Sequence, residues 1–187
     1  MTYKIISTFD GLTETCSLSE LSRSLKLNSI LAELNSDGTL IDSWPLVHET
    51  LVTFAVEFAD YALLNYTKKK IPEAETCIAL TRKWLQNHDS VSVEELRVAA
   101  HAAYATDAAD YAADAAAYAA AYAADAAAYA ADDAANAAWA AANAANAAAN
   151  AAGDDEKNRE AELIRQGQFI VDYLRAATTR SCNLRSA

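Results

Sequence analysis

Apolar residues recur three and four positions apart along much of this chain, and that rhythm predicts helices. In residues 46–66, Leu51, Phe54, Phe58, Tyr61 and Leu64 share one helical face. Pro45, whose fixed φ and missing N–H suit a first turn, predicts the start of that helix. Lys68, Lys69 and Lys70 close it, where positive charge meets exposed carbonyls, and they read as a solvated helix end rather than a phosphate site. Pro72 opens a second helix that carries Ile78, Leu80, Thr81, Trp84 and Leu85 and runs to Gln86. Residues 87–90 turn the chain, and Ser92 with Glu95 forms a capping box that launches a third helix at Leu96. Near the C-terminus Leu163, Ile164, Phe169, Ile170, Tyr173 and Leu174 mark a final amphipathic helix, expected to dock on the hairpin of the first two. Residues after Ala177 read as a frayed tail.

The first 44 residues break the rhythm. Residues 3–9, YKIISTF, and 38–44, GTLIDSW, are rich in β-formers, the second after an Asn-Ser-Asp-Gly turn signal, and they predict two short strands. Between them Ser17 and Glu20 form another capping box, opening a short helix to about Lys26. A strand, helix, strand order also occurs in winged DNA-binding modules, but basic residues are few here.

Residues 99–152 are the dominant feature. Of these 54 residues 36 are Ala, and Gly, Pro, Lys and Arg do not occur. Alanine has the best helix propensity and loses no side-chain entropy on ordering, so the stretch predicts helix, not a disordered linker. A single helix of this length would extend roughly 80 Å. A compact domain of this size has a radius of gyration of roughly 16 Å, so the stretch is expected to fold back. The candidate corners are near residues 106–110 and 132–136, with Asp or Asn as N-caps, and Gly153 is placed to end the last helix as its C′ residue.

The interruptions follow a pattern. Tyr104, Tyr111 and Tyr118, then Tyr122, Tyr129, Asn136, Asn143 and Asn150, repeat at seven after one step of four. Three residues beyond most of them stand Asp107, Asp114, Asp125, Asp132, Trp139 and Asn146, so 14 of the 18 non-alanine residues form one stripe. Rings against small alanine neighbours suit a dense core, the plainest reading of the tyrosines. The aspartates fit it less well, since buried carboxylates need partners and this stretch supplies no cation except His101. At least one edge of the stripe is therefore expected to reach water, a ligand or a partner. Its candidate binding residues are Tyr104, Asp107, Tyr111, Asp114, Tyr118, Tyr122, Asp125, Tyr129, Asp132 and Trp139.

The predicted fold is mainly α: a helical bundle with Ala-rich helices over residues 45–177, a small N-terminal α+β appendage over 1–44, and a flexible tail over 178–187. A net charge of −11 and a pI near 4.6 set the chain against phosphate backbones and anionic membranes, so neither direct nucleic-acid binding nor membrane docking is expected. Cys16, Cys77 and Cys182 are odd in number and widely spaced, and no basic-then-apolar leader opens the sequence, which points to a cytoplasmic protein with reduced thiols. No apolar run reaches the roughly 20 residues of a membrane span.

Residues 54–153 resemble a family of immunity proteins, similar to an immunity family of bacterial polymorphic toxin systems and also carried by phages. The features are FAVEFADYALLNY, a Pro, the helix EAETCIALTRKWL ending in Trp84, VEELRVAAHAAYA, and Ala-rich helices with periodic aromatic and polar residues. The likeness covers roughly residues 46–175. It implies an all-α, non-enzymatic protein that neutralises an antagonist by binding, and it brings no catalytic residues.

Catalytic chemistry finds little footing. His48, His88 and His101 lie far apart with no metal-ligand spacing, no nucleophile motif occurs, and only four glycines leave no phosphate-cradling loop. No enzyme activity and no cofactor is expected. Ice-binding helices need regular Thr, and this stretch has Thr106 alone. Three binding classes follow. In the first, the acidic aromatic face docks on a basic surface of a toxin or defence effector. In the second, a Tyr- and Asp-lined pocket sequesters a small nucleotide-like signal. In the third, the carboxylates mimic nucleic acid. Self-association is also expected, because exposed Ala faces can pair.

Overall fold

The computed structural model describes residues 2–7, 11–24, 29–67, 70–105, 111–132, 134–153 and 155–185, without the side chains at 111–114, 116, 129–132, 134–139, 141 and 179–185. The fold is mainly α, with a small sheet at the N-terminus. Strands β1 (Thr2–Ser7), β2 (Thr13–Cys16), β3 (Ser29–Leu34) and β4 (Leu40–Leu46) form an antiparallel sheet in the order β2-β1-β3-β4. Tyr3 lies opposite Cys16 and Glu33, and Leu31 lies opposite Trp44.

This region differs from the two-strand expectation in three ways. Strand β2 is a four-residue polar edge with only Cys16 buried, and so lacks the alternation that reveals a strand. Strand β3 hides because Glu33, an apparent polar break, is wholly buried and accepts from Arg175 Nη2 at 2.6 and 2.8 Å. Pro45 does not begin a helix. It sits in β4, at the sheet edge, where a missing N–H is tolerated. The capping box at Ser17 and Glu20 is present, but helix α1 spans only Leu18–Leu21.

Helix α2 (His48–Tyr66) lies at the centre of the bundle and buries Leu51, Val52, Phe54, Val56 and Phe58. It packs against α3 (Pro72–Gln86), α5 (Tyr111–Asp132) and α6 (Ala134–Ala151). Between α3 and α4 (Val93–Tyr104), residues His88–Ser90 make a single 3-10 turn. The second capping box is formed as expected: Ser92 Oγ accepts from Glu95 N–H at 3.2 Å, and Ser92 N–H donates to Glu95 Oε2 at 2.8 Å.

The alanine stretch folds back on itself, its helices packing against one another. It becomes the end of α4, all of α5 and all of α6, although residues 106–110 and 133, where the N-caps were expected, lie outside the described residues. Gly153 has φ +109, and its N–H donates to Asn150 O at 3.0 Å, which ends α6. On α5, Ala117, Ala119, Ala120, Ala121, Ala123, Ala124, Ala126, Ala127 and Ala128 are wholly buried. On α6, Ala140, Ala144, Ala145 and Ala148 are too. Side chains this small let helix backbones approach closely, and Cys77 Sγ–H of α3 reaches Ala120 O at 3.1 Å. Burial pushes that thiol up to about 12.

Helix α7 (Glu156–Arg185) ties the sheet to the bundle. Phe169 and Tyr173 meet Phe54 edge-on at centroid distances of 6.1 and 5.5 Å, so the expected docking occurs on α2. Glu162, also wholly buried, takes Tyr66 Oη–H at 2.7 Å and Arg165 Nη2–H at 2.6 Å. The expected tail does not begin at residue 178. Helix α7 continues to Arg185, and Thr178 Oγ1 accepts from Trp44 Nε1–H at 3.0 Å. Helix α1 lies close on α7 where Gly167 has no side chain, since a Cβ there would meet the Leu18 carbonyl oxygen. Among the described residues no helix is long and apolar enough to cross a membrane.

Candidate functional site

A spacing of four places Tyr118 and Tyr122 on one side of α5, and the packing of α4 against α5 brings Tyr104 beside them. The Tyr104 ring lies 5.5 Å from the rings of both Tyr118 and Tyr122, edge-on to the latter. Its hydroxyl donates to Asp125 Oδ2 at 2.9 Å. Three tyrosines and one aspartate from two helices thus form a contiguous group.

These rings stand at the rim of the alanine core, not inside it. Tyr118 is 38% exposed, while Tyr104 and Tyr122 are partly buried against the core. Tyr104 and Tyr122 thus pack on the alanine core without being enclosed by it, and Tyr118 is the ring of the three that stands exposed. The core joins the alanines of α5 and α6 to the phenylalanines of α2 and to larger side chains from the sheet, α3, α4 and α7.

Asp125 is partly buried, and loss of water raises its carboxyl above the usual carboxylate value. The Tyr104 hydrogen bond and the charges of His101 and Arg97 oppose that rise without cancelling it. His101, the lone cation expected from within the stretch, is joined by Arg97 from the preceding turn of α4.

The described part of the stripe on α6 meets α5 at a crevice. Asn143, Asn146 and Asn150 line a crevice of about 340 Å³ together with Tyr118, Tyr122, Ala115 and Ala147. The Nδ2 of Asn143 is buried and has no hydrogen-bond partner. Asn146 is exposed. These asparagines fell in the stripe's heptad columns, yet the candidate set omitted them. The signal was present in the shared spacing, but only the fold-back between α5 and α6 turns one stripe into two facing walls.

Of the remaining candidates, Tyr111, Asp114, Tyr129 and Asp132 lie on α5 and Trp139 on α6, with side chains outside the described residues, and Asp107 lies outside them altogether. The structure thus brings together Tyr104, Tyr118, Tyr122 and Asp125 from the predicted set. Compared with protein-family profiles, curated proteins and solved structures, the chain matches none.

Proposed function

We propose that this protein is a non-enzymatic, immunity-like or phage counter-defence factor that neutralises a toxin or defence effector by direct binding through the tyrosine face of α4 and α5. The observation that supports this reading is the cluster of Tyr104, Tyr118, Tyr122 and Asp125 at the rim of a core of wholly buried alanines. Aromatic anchors held on a rigid support lose little conformational entropy on docking, which is the property of binding hot spots. The face belongs to a 54-residue stretch without Lys or Arg in a chain of net charge −11, so the complementary partner presents a basic surface. No step in this reading requires bond chemistry, a cofactor, a membrane or direct contact with nucleic acid. A homo-oligomer would present several such faces at once.

The test is capture on immobilised protein from cells in which it acts. A basic protein is retained at about 0.1 M salt, is released several-fold at higher salt as exposed charges are screened, and is lost with Tyr118→Ala. Retention indifferent to both salt and Tyr118, or no retained protein, overturns the reading.

A further inference from the structure

Three amides line one side of the α5–α6 crevice. Asn143, Asn146 and Asn150 are spaced three and four residues apart, so they stack along one face of α6 about a turn from each other. Tyr118 and Tyr122, four apart on α5, supply two rings to the opposite wall. At about 340 Å³ the crevice lies at the small end of the roughly 300–1,000 Å³ typical of ligand pockets.

The chemistry of the lining is selective. None of its described residues is charged: it offers phenol rings, amides and two alanine methyl groups. Asn143 Nδ2 is unpartnered and shielded from water, which is an unsatisfied state for a side chain in a structural role. A half-turn about its terminal torsion exchanges nitrogen and oxygen in nearly the same envelope, so this amide can offer the crevice either a donor or an acceptor. Asn146, exposed at the same wall, offers both. Planar rings with alternating donors and acceptors on one edge satisfy amides of this kind, while their faces stack on tyrosine. A phosphate finds no cation in the lining, and the surrounding stretch has no Lys or Arg.

We propose that the α5–α6 crevice binds an uncharged planar heteroaromatic ligand, a nucleobase or its nucleoside, with the ring against Tyr118 and Tyr122 and its polar edge on Asn143 and Asn146. The site shares Tyr118 and Tyr122 with the face proposed for protein capture, but its amides belong to α6, and it stands if that reading fails. It narrows a nucleotide-like ligand to the unphosphorylated form, because the walls supply stacking and hydrogen bonds but no charge to hold phosphate.

Isothermal titration of the full chain with adenosine, guanosine, cytidine and uridine, each beside its 5′-monophosphate, tests the site. At least one nucleoside binds, its monophosphate binds tenfold or more weakly, and Asn143→Leu removes binding. Asn146→Ala, at an exposed position where the fold is not at risk, weakens binding at least fivefold and carries the test if Asn143→Leu does not fold. No heat from any nucleoside at millimolar concentration overturns the proposal. So does a monophosphate that binds as well as its nucleoside, or binding unchanged in the folded variants.

Discussion

Asp125 shows how one side chain can mark the boundary between core and surface. It sits on a helix whose neighbouring alanines are wholly buried, yet its carboxyl meets the Tyr104 hydroxyl and the fields of His101 and Arg97. Burial holds its folded-state value above the unfolded one. The folded chain therefore binds this proton more tightly, and the stabilisation that follows is full below the ordinary carboxylate value and is lost as pH rises through the raised value. Asp125→Asn keeps an acceptor for Tyr104 and is neutral at every pH. We expect its urea midpoint to exceed the wild-type midpoint at pH 7 and the difference to shrink toward pH 4. A constant difference between the two pH values would mean that Asp125 is as well solvated when folded as when unfolded. The sequence marked this residue as unsuited to a closed core, but it could not show which hydroxyl meets it, since Tyr104 and Asp125 stand on different helices, 21 positions apart.

At the scale of the element, an alanine helix works by what it lacks. Helices α5 and α6 owe their formation to propensity, and their position to close approach with α2 and with each other. Leucine is nearly as good a helix former as alanine, so Ala148→Leu isolates packing from propensity. Ala148 is wholly buried, and we expect the larger side chain to cost about 1–3 kcal/mol, read as a lower urea midpoint with helical content retained. No loss of stability would place α6 more loosely than its burial implies. The helices of the alanine stretch and its folding back were legible, because length and periodicity speak directly to them. The sheet was legible only in part. Its outer strand β2 is polar and lacks alternation, β4 takes Pro45 at an edge, and β3 carries Glu33, whose partner is distant in sequence. Glu33 is the clearest case: Arg175, 142 positions away, pairs with the carboxylate buried in that strand.

For the whole molecule, the division of labour between large and small side chains decides how the stripe is used. Phenylalanines and leucines of α2 fill the centre, α7 clamps that centre to the sheet, and the alanine helices hold tyrosines at the rim. This arrangement leaves Tyr118 able to serve a partner or a ligand without supporting the fold. The measurement that tests it most directly is a pair of thermal melts, for Phe54→Ala and Tyr118→Ala. Phe54 is wholly buried among Phe58, Phe169 and Tyr173, and its loss should cost about 3–5 kcal/mol, or about 10 °C in Tm. Tyr118, 38% exposed, should cost about 1 kcal/mol, a fall of about 3 °C. If Tyr118→Ala instead destabilises the chain as much as Phe54→Ala does, the ring belongs to the core and the binding face proposed here does not exist.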